Sequence, residues 1–253
     1  MQLNFHSLLL EKETKREESF IIINILQLNM AELYNESLAK EWINWVEESN
    51  PEGTREKEIF PFIQNWTKRI NPNNLVDLGC GQGDCSKFIN SNIKYIGVDS
   101  SKTLINRAKK LYSSINKEFL LGDLYKIPLE NNSVDSAISI WVWSHLKNLE
   151  LAAQKMYDIL KPKGHFLIIT ASPDTYEERK TWYKEYSING KLLAGTMDLG
   201  GNKSLSNTTL YLHTKKEFED SIAKAGFTIT EIGNMSQSKS KENGMYLVIE
   251  GYK

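Results

Sequence analysis

Asn74-Leu75-Val76-Asp77-Leu78-Gly79-Cys80-Gly81-Gln82-Gly83-Asp84 places a short apolar run with one acid directly before a glycine-rich turn. The run predicts a buried strand. The turn predicts backbone with positive φ against which a ligand can lie, because glycine has no Cβ. A dinucleotide-binding loop needs glycines at i, i+2 and i+5. Here the third glycine comes one residue early, at Gly83, and Asp84 would put negative charge where a pyrophosphate binds. The loop therefore argues against a dinucleotide ligand.

Strands and helices alternate on the carboxyl side of this turn, which predicts an α/β fold with a parallel sheet covered on both faces. The chain ends differently, since its last two strands are joined without a helix and should pair antiparallel. Strands are predicted at Leu75–Leu78, Tyr95–Val98, Glu118–Leu121, Val134–Ile140, His165–Thr170, Phe227–Ile232 and Tyr246–Glu250. Helices are predicted at Ser86–Asn90, Lys102–Tyr112, Glu150–Leu160 and Lys215–Ala225, the last capped by Thr214.

Two regions flank this alternation. Apolar residues recur at helical spacing over 31–48 and 55–70, separated by Asn50-Pro51-Glu52-Gly53. Between 171 and 213 the rhythm fails, and the sequence predicts a long irregular insertion of the kind that forms lids. Its place after the fifth strand puts it at the carboxyl edge of the sheet, where open α/β sheets bind ligands. We expect it to cover a substrate together with the two amino-terminal helices.

Bulk properties exclude several classes of protein. The 253 residues carry a formal net charge of -1, which gives no electrostatic reason to expect nucleic acid or an anionic membrane as partner. The only cysteines, Cys80 and Cys85, lie in one loop without a cluster of metal ligands around them, so neither a disulfide framework nor a metal site is predicted. We expect a cytoplasmic protein that is a monomer or a homodimer.

The amino terminus is apolar in part, but no membrane span is predicted. Residues 20–30 are interrupted by polar side chains and are far shorter than the ~20 residues that a span requires. Residues 11–18 are of mixed charge and do not resemble a signal peptide. We interpret residues 1–29 as an extension that is either non-native, if Met30 is the start, or poorly ordered, and 30–253 as one domain.

Several separated motifs resemble the class I S-adenosylmethionine (SAM) methyltransferases, most closely the ubiquinone/menaquinone-biosynthesis group, over about residues 34–250. They are Asp-x-Gly-x-Gly-x-Gly at 77–83, Asp99 at 20 residues after Gly79, Gly122-Asp123-Leu124, and Leu160-Lys161-Pro162-Lys163-Gly164. The resemblance implies a Rossmann-like fold. Its sheet has seven strands, mostly parallel, with an antiparallel terminal hairpin and helices on both faces. It also implies SAM as cofactor.

The resemblance assigns roles to individual residues. The glycine loop would lie under the methionine part of the cofactor, Asp77 would hold its ammonium group, and the Gly122-Asp123-Leu124 segment would meet the adenine. Arg55, after Tyr34 and Trp42, would meet the cofactor carboxylate, although packing of an amphipathic helix also explains that pattern. The full predicted cofactor-binding set is Arg55, Asp77, Gly79, Cys80, Gly81, Gly83, Asp99, Ser100, Gly122, Asp123, Leu124, Ile140 and Trp141.

Asp99 suits a ribose on chemical grounds, because an ionised carboxylate only accepts hydrogen bonds and a vicinal diol donates two. The alternative is that Asp99 caps the next helix, a role open to Ser100 and Ser101 as well.

The segment after the fourth predicted strand supplies the candidate for chemistry. His145 is the candidate general base, since its ordinary pKa is near 6.5, and a structural role is the alternative. Trp141 or Trp143 could face a sulfonium, because an aromatic face attracts a cation, or could simply pack.

The expected function is transfer of a methyl group to a small-molecule acceptor. The alternatives are an RNA or protein methyltransferase on the same fold and a non-catalytic SAM-binding module. A basic set of Lys161, Lys163, Arg179, Lys180, Lys184 and Lys191 is the only suggestion of a nucleic-acid surface.

Overall fold

The computed structural model describes residues 36–49, 55–200, 203–235 and 244–253. Expectations for residues 1–35, and for the break at 50–53, lie outside the described residues. The main sheet contains β1 (Asn74–Leu78), β2 (Lys94–Asp99), β3 (Lys117–Leu121), β4 (Val134–Ile140), β5 (Leu160–Ala171), β9 (Thr228–Met235) and β10 (Tyr246–Tyr252). A second sheet contains β6 (Tyr183–Asn189), β7 (Leu192–Gly200) and β8 (Lys203–Tyr211).

The main sheet has the strand order β3-β2-β1-β4-β5-β10-β9. β1 lies parallel between β2 and β4, and β3 and β5 continue the parallel part outward. β10 is antiparallel to both β5 and β9. The predicted seven-stranded, mostly parallel sheet with an antiparallel terminal pair is confirmed, and the carboxyl ends of its parallel strands share one edge.

Six α-helices lie in the described residues, and five of them correspond to predicted helical segments. They are α1 (Glu36–Asn44), α2 (Phe60–Ile70), α3 (Lys102–Tyr112), α4 (Leu149–Ile159), α5 (Tyr176–Lys180) and α6 (Lys215–Lys224). A π-helical turn, Trp45–Ser49, follows α1, and another, Arg55–Ile59, leads into α2.

Helices cover both faces of the main sheet. On one face α4 and α6 pack on the strands through Met156, Phe218 and Ile222, all fully buried. On the other face α2 and α3 pack through Ile63 and Ile105, which join a second buried cluster. Because helices bury both faces of the sheet, its parallel strands carry apolar side chains on both sides.

The prediction of a helix at Ser86–Asn90 is wrong. The chain forms instead a four-residue 3₁₀ turn, Asp84–Lys87. The carbonyl oxygen of Ser86 accepts a hydrogen bond from Lys117 Nζ of β3 at 2.6 Å, so a tertiary contact takes an acceptor that an α-helix would have used.

The prediction that residues 171–213 form an irregular insertion is also wrong. A 3₁₀ turn, Pro173–Thr175, and α5 lead into the three-stranded antiparallel sheet of β6, β7 and β8. Gly190 and Lys191 form the two-residue turn between the first two of these strands, with Gly190 at φ 58°. β6 is exposed after its first residue, so its sequence lacks the apolar alternation that marks a half-buried strand.

The second sheet and α1 lie together over the carboxyl edge of the main sheet. Glu41 of α1 accepts a hydrogen bond from the Ser206 amide of β8 at 2.8 Å. Beyond α1, Glu47 in the π-helical turn pairs with Arg107 of α3. Within the residues that the structure describes, no helix is long and apolar enough to cross a membrane.

Truncation of Ile222 tests the packing of α6 on the main sheet. Ile222→Ala removes a fully buried side chain, whereas Ile115→Ala removes one that is 97% exposed. We expect Ile222→Ala to lower the free energy of unfolding by about 2–5 kcal/mol and the control to change it by less than about 0.5 kcal/mol. Urea denaturation followed by circular dichroism measures both, and equal effects would contradict this packing.

Candidate active site

The glycine loop after β1 is held in a backbone conformation that favours glycine. Gly79, Gly81 and Gly83 have φ of 82°, 56° and 85°. A Cβ on Gly79 would lie 2.2 Å from Val142 Cγ2, and one on Gly83 would lie 2.7 Å from Phe119 Cε1. The loop therefore presents bare backbone at the carboxyl edge of the sheet, packed against β3 and the segment after β4.

Asp99 ends β2 beside this loop. Its Oδ2 accepts from the Gly81 amide at 2.9 Å, and its Oδ1 accepts from the Ser101 amide at 2.8 Å. Ser101 is the residue that caps α3, through a hydrogen bond from the Leu104 amide. Burial raises the pKa of Asp99, and the two amides oppose that shift. Each carboxylate oxygen keeps a further lone pair for a ligand.

Asp77 lies buried beneath the loop with one oxygen unsatisfied. Its Oδ2 accepts from the Tyr95 hydroxyl at 2.6 Å, and its Oδ1 has no hydrogen-bond partner among the described residues. Burial raises the pKa of Asp77 to about 7, the Tyr95 hydroxyl opposes this, and the nearby Asp99 charge adds to it. This oxygen is therefore able to accept a hydrogen bond from a ligand.

These residues border a first cavity, of about 90 Å³. Eleven of the fourteen predicted site residues line it: Arg55, Asp77, Gly79, Cys80, Gly81, Asp99, Ser100, Leu124, Ile140, Trp141 and His145. Sequence reasoning did not find Phe60, Gln82, Asp84, Cys85, Leu104 or Val142, which line it as well. Leu104 follows the Ser101 cap in the first turn of α3, a position that the strand-to-helix pattern could have indicated.

Gly83, Gly122 and Asp123 do not line the first cavity. Gly83 packs on Phe119, as described above. The Gly122 amide donates to the carbonyl oxygen of Asp99 at 3.0 Å, and Asp123 accepts from the Tyr125 amide at 2.7 Å. Gly122 and Asp123 thus shape the turn after β3, from which Leu124 reaches the cavity.

Arg55 is buried in the cavity wall with its charge already paired. Its Nη2 lies 2.9 Å from Asp84 Oδ2, and its guanidinium lies over the rings of Trp42 and Phe60. Burial opposes the charge of Asp84, but Arg55 and the Tyr112 hydroxyl hold the pKa of Asp84 below its usual range. This buried pair ties the π-helical turn before α2 to the end of the glycine loop.

A second cavity, of about 330 Å³, lies between the carboxyl edge of the main sheet and the second sheet. Its walls are mainly aromatic and apolar, with Arg179 and Asp198 as the charged members. It shares Trp42, Trp141 and His145 with the first cavity. The further lining residues are Trp45, Ser144, Ala171, Trp182, Tyr183, Met197, Leu199, Leu205, Thr208, Leu210 and Tyr246.

The structure separates the two tryptophans between which the sequence left a choice. Trp141 borders both cavities, has φ of 60°, and stacks on Tyr246 with ring centroids 5.5 Å apart. Trp143 is fully buried in the core below the sheet edge. Only Trp141 can therefore meet a ligand.

His145 lies at the boundary of the two cavities. Its Nδ1 is hydrogen-bonded to the carbonyl oxygen of Thr209 in β8. Because a carbonyl only accepts, Nδ1 carries the proton, and the lone pair of the neutral ring is on Nε2. Burial lowers the pKa of His145, so the imidazole is neutral at pH 7. A neutral imidazole with its lone pair on Nε2 can accept a proton.

The chain is similar to known methyltransferases. Residues 76–168 match a family model described as a methyltransferase domain. The chain is similar to a ubiquinone/menaquinone biosynthesis C-methyltransferase from Rickettsia prowazekii, with 25% identity over 64% of this chain and 71% of that protein. It is also similar to a demethylmenaquinone methyltransferase from Staphylococcus aureus, with 26% identity over 68% of this chain and 79% of that protein.

Among solved structures, a SAM-dependent methyltransferase from Clostridium acetobutylicum has the same fold, with a TM-score of 0.68 and 12% identity. The similarity covers 84% of this chain and 97% of that one. The family match and the similarity to the two relatives support a class I SAM-dependent methyltransferase with SAM as methyl donor, and the solved structure shows the shared fold.

Substitution of Gly79 tests the bare-backbone loop. Gly79→Ala places a Cβ 2.2 Å from Val142 Cγ2 at a φ of 82°, so we expect at least a tenfold loss of affinity for S-adenosylhomocysteine. The matched control is Gly233→Ala in β9, where a Cβ meets nothing within 4 Å. Calorimetric titration measures both. The double variant Gly79→Ala/Val142→Ala should recover part of the affinity, and an unaffected Gly79→Ala would contradict the role of the loop.

Proposed function

We propose that the protein transfers the methyl group of SAM, bound in the first cavity, to a small planar acceptor bound in the second. The observation that carries this proposal is the shared boundary of Trp42, Trp141 and His145 between the two cavities. SAM supplies a methyl group on a positively charged sulfur. The protein therefore has mainly to align donor and acceptor and to exclude water.

The residues of the first cavity fit SAM. Asp77 Oδ1 is a buried acceptor without a donor among the described residues, and the ammonium group of SAM is a donor of the opposite charge. A Cβ on Gly81 would meet only Trp42 Nε1, at 3.9 Å, so glycine leaves backbone uncovered there, whereas Gly79 lets the loop approach Val142. We propose that Asp77 and this loop hold the methionine part of SAM.

Asp99 and the residues around it fit the adenosine part. Both oxygens of Asp99 are fixed by backbone amides, and each can still accept from one ribose hydroxyl. Leu104 and Leu124, which line the cavity, provide apolar surface for the adenine ring. Gly122 and Asp123 support that surface from the turn after β3. We propose that Arg55 acts through its Asp84 pair, by fixing the end of the loop.

The second cavity fits a planar, mostly apolar acceptor, because stacked and tilted rings form much of its wall. The two relatives described above are named as a ubiquinone/menaquinone biosynthesis C-methyltransferase and a demethylmenaquinone methyltransferase. A hydroquinone ring has nucleophilic carbon atoms once a hydroxyl loses its proton. We propose a ring of this kind as acceptor and His145 as the general base that takes the proton.

An RNA or protein acceptor is less well supported. Arg179 from the basic set is buried rather than displayed. Four of the five lysines pair with local carboxylates, namely Lys161 with Asp135, Lys180 with Glu177, Lys184 with Asp198 and Lys191 with Glu217. The set therefore does not form a free basic face.

The proposal is tested by incubating the protein with methyl-labelled SAM and demethylmenaquinone reduced to its hydroquinone. We expect label on the ring and release of S-adenosylhomocysteine. A metabolite extract serves as a parallel source of acceptors. Transfer of label to RNA or to protein, with none to any small molecule, would contradict the proposal.

The pKa of Asp77 predicts how cofactor binding depends on pH. With a pKa of about 7, Asp77 is neutral in the free protein at lower pH, whereas a bound ammonium group favours the carboxylate. The apparent Kd for S-adenosylhomocysteine should therefore rise as pH falls below about 7, by up to tenfold per unit, and level off above it. Calorimetry across this range measures the effect.

Asp77→Asn should bind the same ligand more weakly and with little dependence on pH. Asp220→Asn, on the exposed face of α6, is the control and should keep the wild-type profile. A wild-type pH profile in Asp77→Asn would show that another group titrates.

Replacement of His145 tests its role as base. In His145→Asn the amide can keep the hydrogen bond to Thr209, while the proton acceptor is lost. We expect turnover to fall at least a hundredfold with the affinity for S-adenosylhomocysteine unchanged. His165→Asn, in β5 away from both cavities, should leave turnover as it is. Normal turnover in folded His145→Asn would assign His145 to packing.

A further inference from the structure

Arg179 is a buried cation in the wall of the second cavity. It belongs to the last turn of α5, and only 8% of its surface is exposed. Its Nε donates to Thr175 Oγ1 at 3.2 Å, and its Nη2 donates to the carbonyl oxygen of Met245. In the described part of the chain, Nη1 has no hydrogen-bond acceptor. The guanidinium is thus held in place by two neutral acceptors and has donors left for a ligand.

The charge of Arg179 has no carboxylate partner within ion-pair distance among residues 36–49, 55–200, 203–235 and 244–253. Glu178, the preceding residue, is exposed, and its charge raises the pKa of Arg179 without an ion pair between them. Asp198 lines the same cavity but pairs with Lys184 at 3.6 Å. Burial lowers the pKa of Arg179, yet arginine remains protonated in proteins. A buried charge of this kind is costly unless an opposite charge reaches it.

Aromatic rings connect Arg179 to the boundary with the first cavity. The guanidinium carbon lies 4.9 Å from the ring centroid of Trp182 and 5.5 Å from that of Tyr246. Tyr246 in turn stacks on Trp141, with an angle of 25° between the ring planes. Trp141 and His145 border both cavities, whereas Arg179 borders only the second. The wall of the second cavity therefore carries a positive charge at Arg179, and the flat rings of Tyr246 and Trp141 lie between that charge and the first cavity.

We propose that the acceptor is an anionic planar molecule whose oxyanion pairs with Arg179 and whose ring lies along Tyr246 and Trp141. The oxyanion is a carboxylate or an ionised ring hydroxyl, which share the same charge and acceptor chemistry. The proposal rests on the assignment of the second cavity to the acceptor. It adds that charge contributes to selection, so that the anion of a planar acceptor binds more tightly than a neutral molecule of the same shape.

The first test compares ligands on the unmodified protein saturated with S-adenosylhomocysteine. 2-Naphthoate and 2-naphthamide share one ring system and differ in charge, and 2-naphthol becomes an anion as pH rises. We expect 2-naphthoate to bind at least tenfold more tightly than 2-naphthamide, measured by calorimetry. A preference shown only by 2-naphthol, above its own ionisation, would support the ionised hydroxyl instead. Equal binding of all three, charged or neutral, would overturn the proposal.

The second test changes the arginine. Arg179→Met should bring the affinity ratio of 2-naphthoate to 2-naphthamide close to one, and Arg179→Lys should keep part of it. Arg69→Met, which removes an arginine paired with Glu250 and away from both cavities, should keep the full ratio. A folded Arg179→Met that retains the wild-type ratio would overturn the proposal. Should Arg179→Met fail to fold in a melting experiment, Arg179→Lys and the ligand series decide.

Binding of S-adenosylhomocysteine separates the two levels of failure. All the arginine variants should bind it with wild-type affinity, since Arg179 does not line the first cavity. If the unmodified protein binds S-adenosylhomocysteine but does not prefer 2-naphthoate to 2-naphthamide, the role of Arg179 is contradicted and the proposed function is not. Absence of any planar ligand in the second cavity, or of S-adenosylhomocysteine in the first, would contradict the proposed function and overturn this proposal with it.

Discussion

The close approach of the Gly79 backbone to Val142 is the constraint on which the rest of the site depends. It brings the loop after β1 against the segment after β4, so that residues from both segments border one cavity. The same segment carries Trp141 and His145 toward the second cavity. A side chain at Gly79 would push the two segments apart, and donor and acceptor sites would lose their common boundary.

Charge is distributed unevenly between the two cavities. In the first, Asp77 and Asp99 are buried acids. Among the described residues, Asp77 accepts from the Tyr95 hydroxyl and Asp99 accepts from two backbone amides. At the edge of this cavity the Arg55 guanidinium is paired with Asp84. In the second, Arg179 is a buried cation with no carboxylate of the described residues within ion-pair distance. A positively charged methyl donor would pair with the acids of the first cavity, and a negatively charged methyl acceptor would pair with the arginine of the second. Each ligand would then be recognised by its charge.

The sequence predicted the main sheet well because its signals are local. Apolar runs, the glycine loop and the Thr214 cap of α6 depend on residues close together in the chain. Most of the predicted cofactor set meets at one edge for the same reason, since carboxyl ends of parallel strands converge. The second sheet was missed because β6 is exposed, although the Asn189-Gly190 pair at its carboxyl end was a readable hairpin signal. Arg179 was counted as a surface charge, because only tertiary packing of α5 buries it.

A crystal structure of the protein with S-adenosylhomocysteine bound tests the central claim most directly. The ligand's amino group should lie within hydrogen-bond distance of Asp77 Oδ1, its ribose hydroxyls on Asp99, and its sulfur toward the boundary formed by Trp141 and His145. A ligand bound elsewhere, or bound at this edge without contact to Asp77 and Asp99, would contradict the claim.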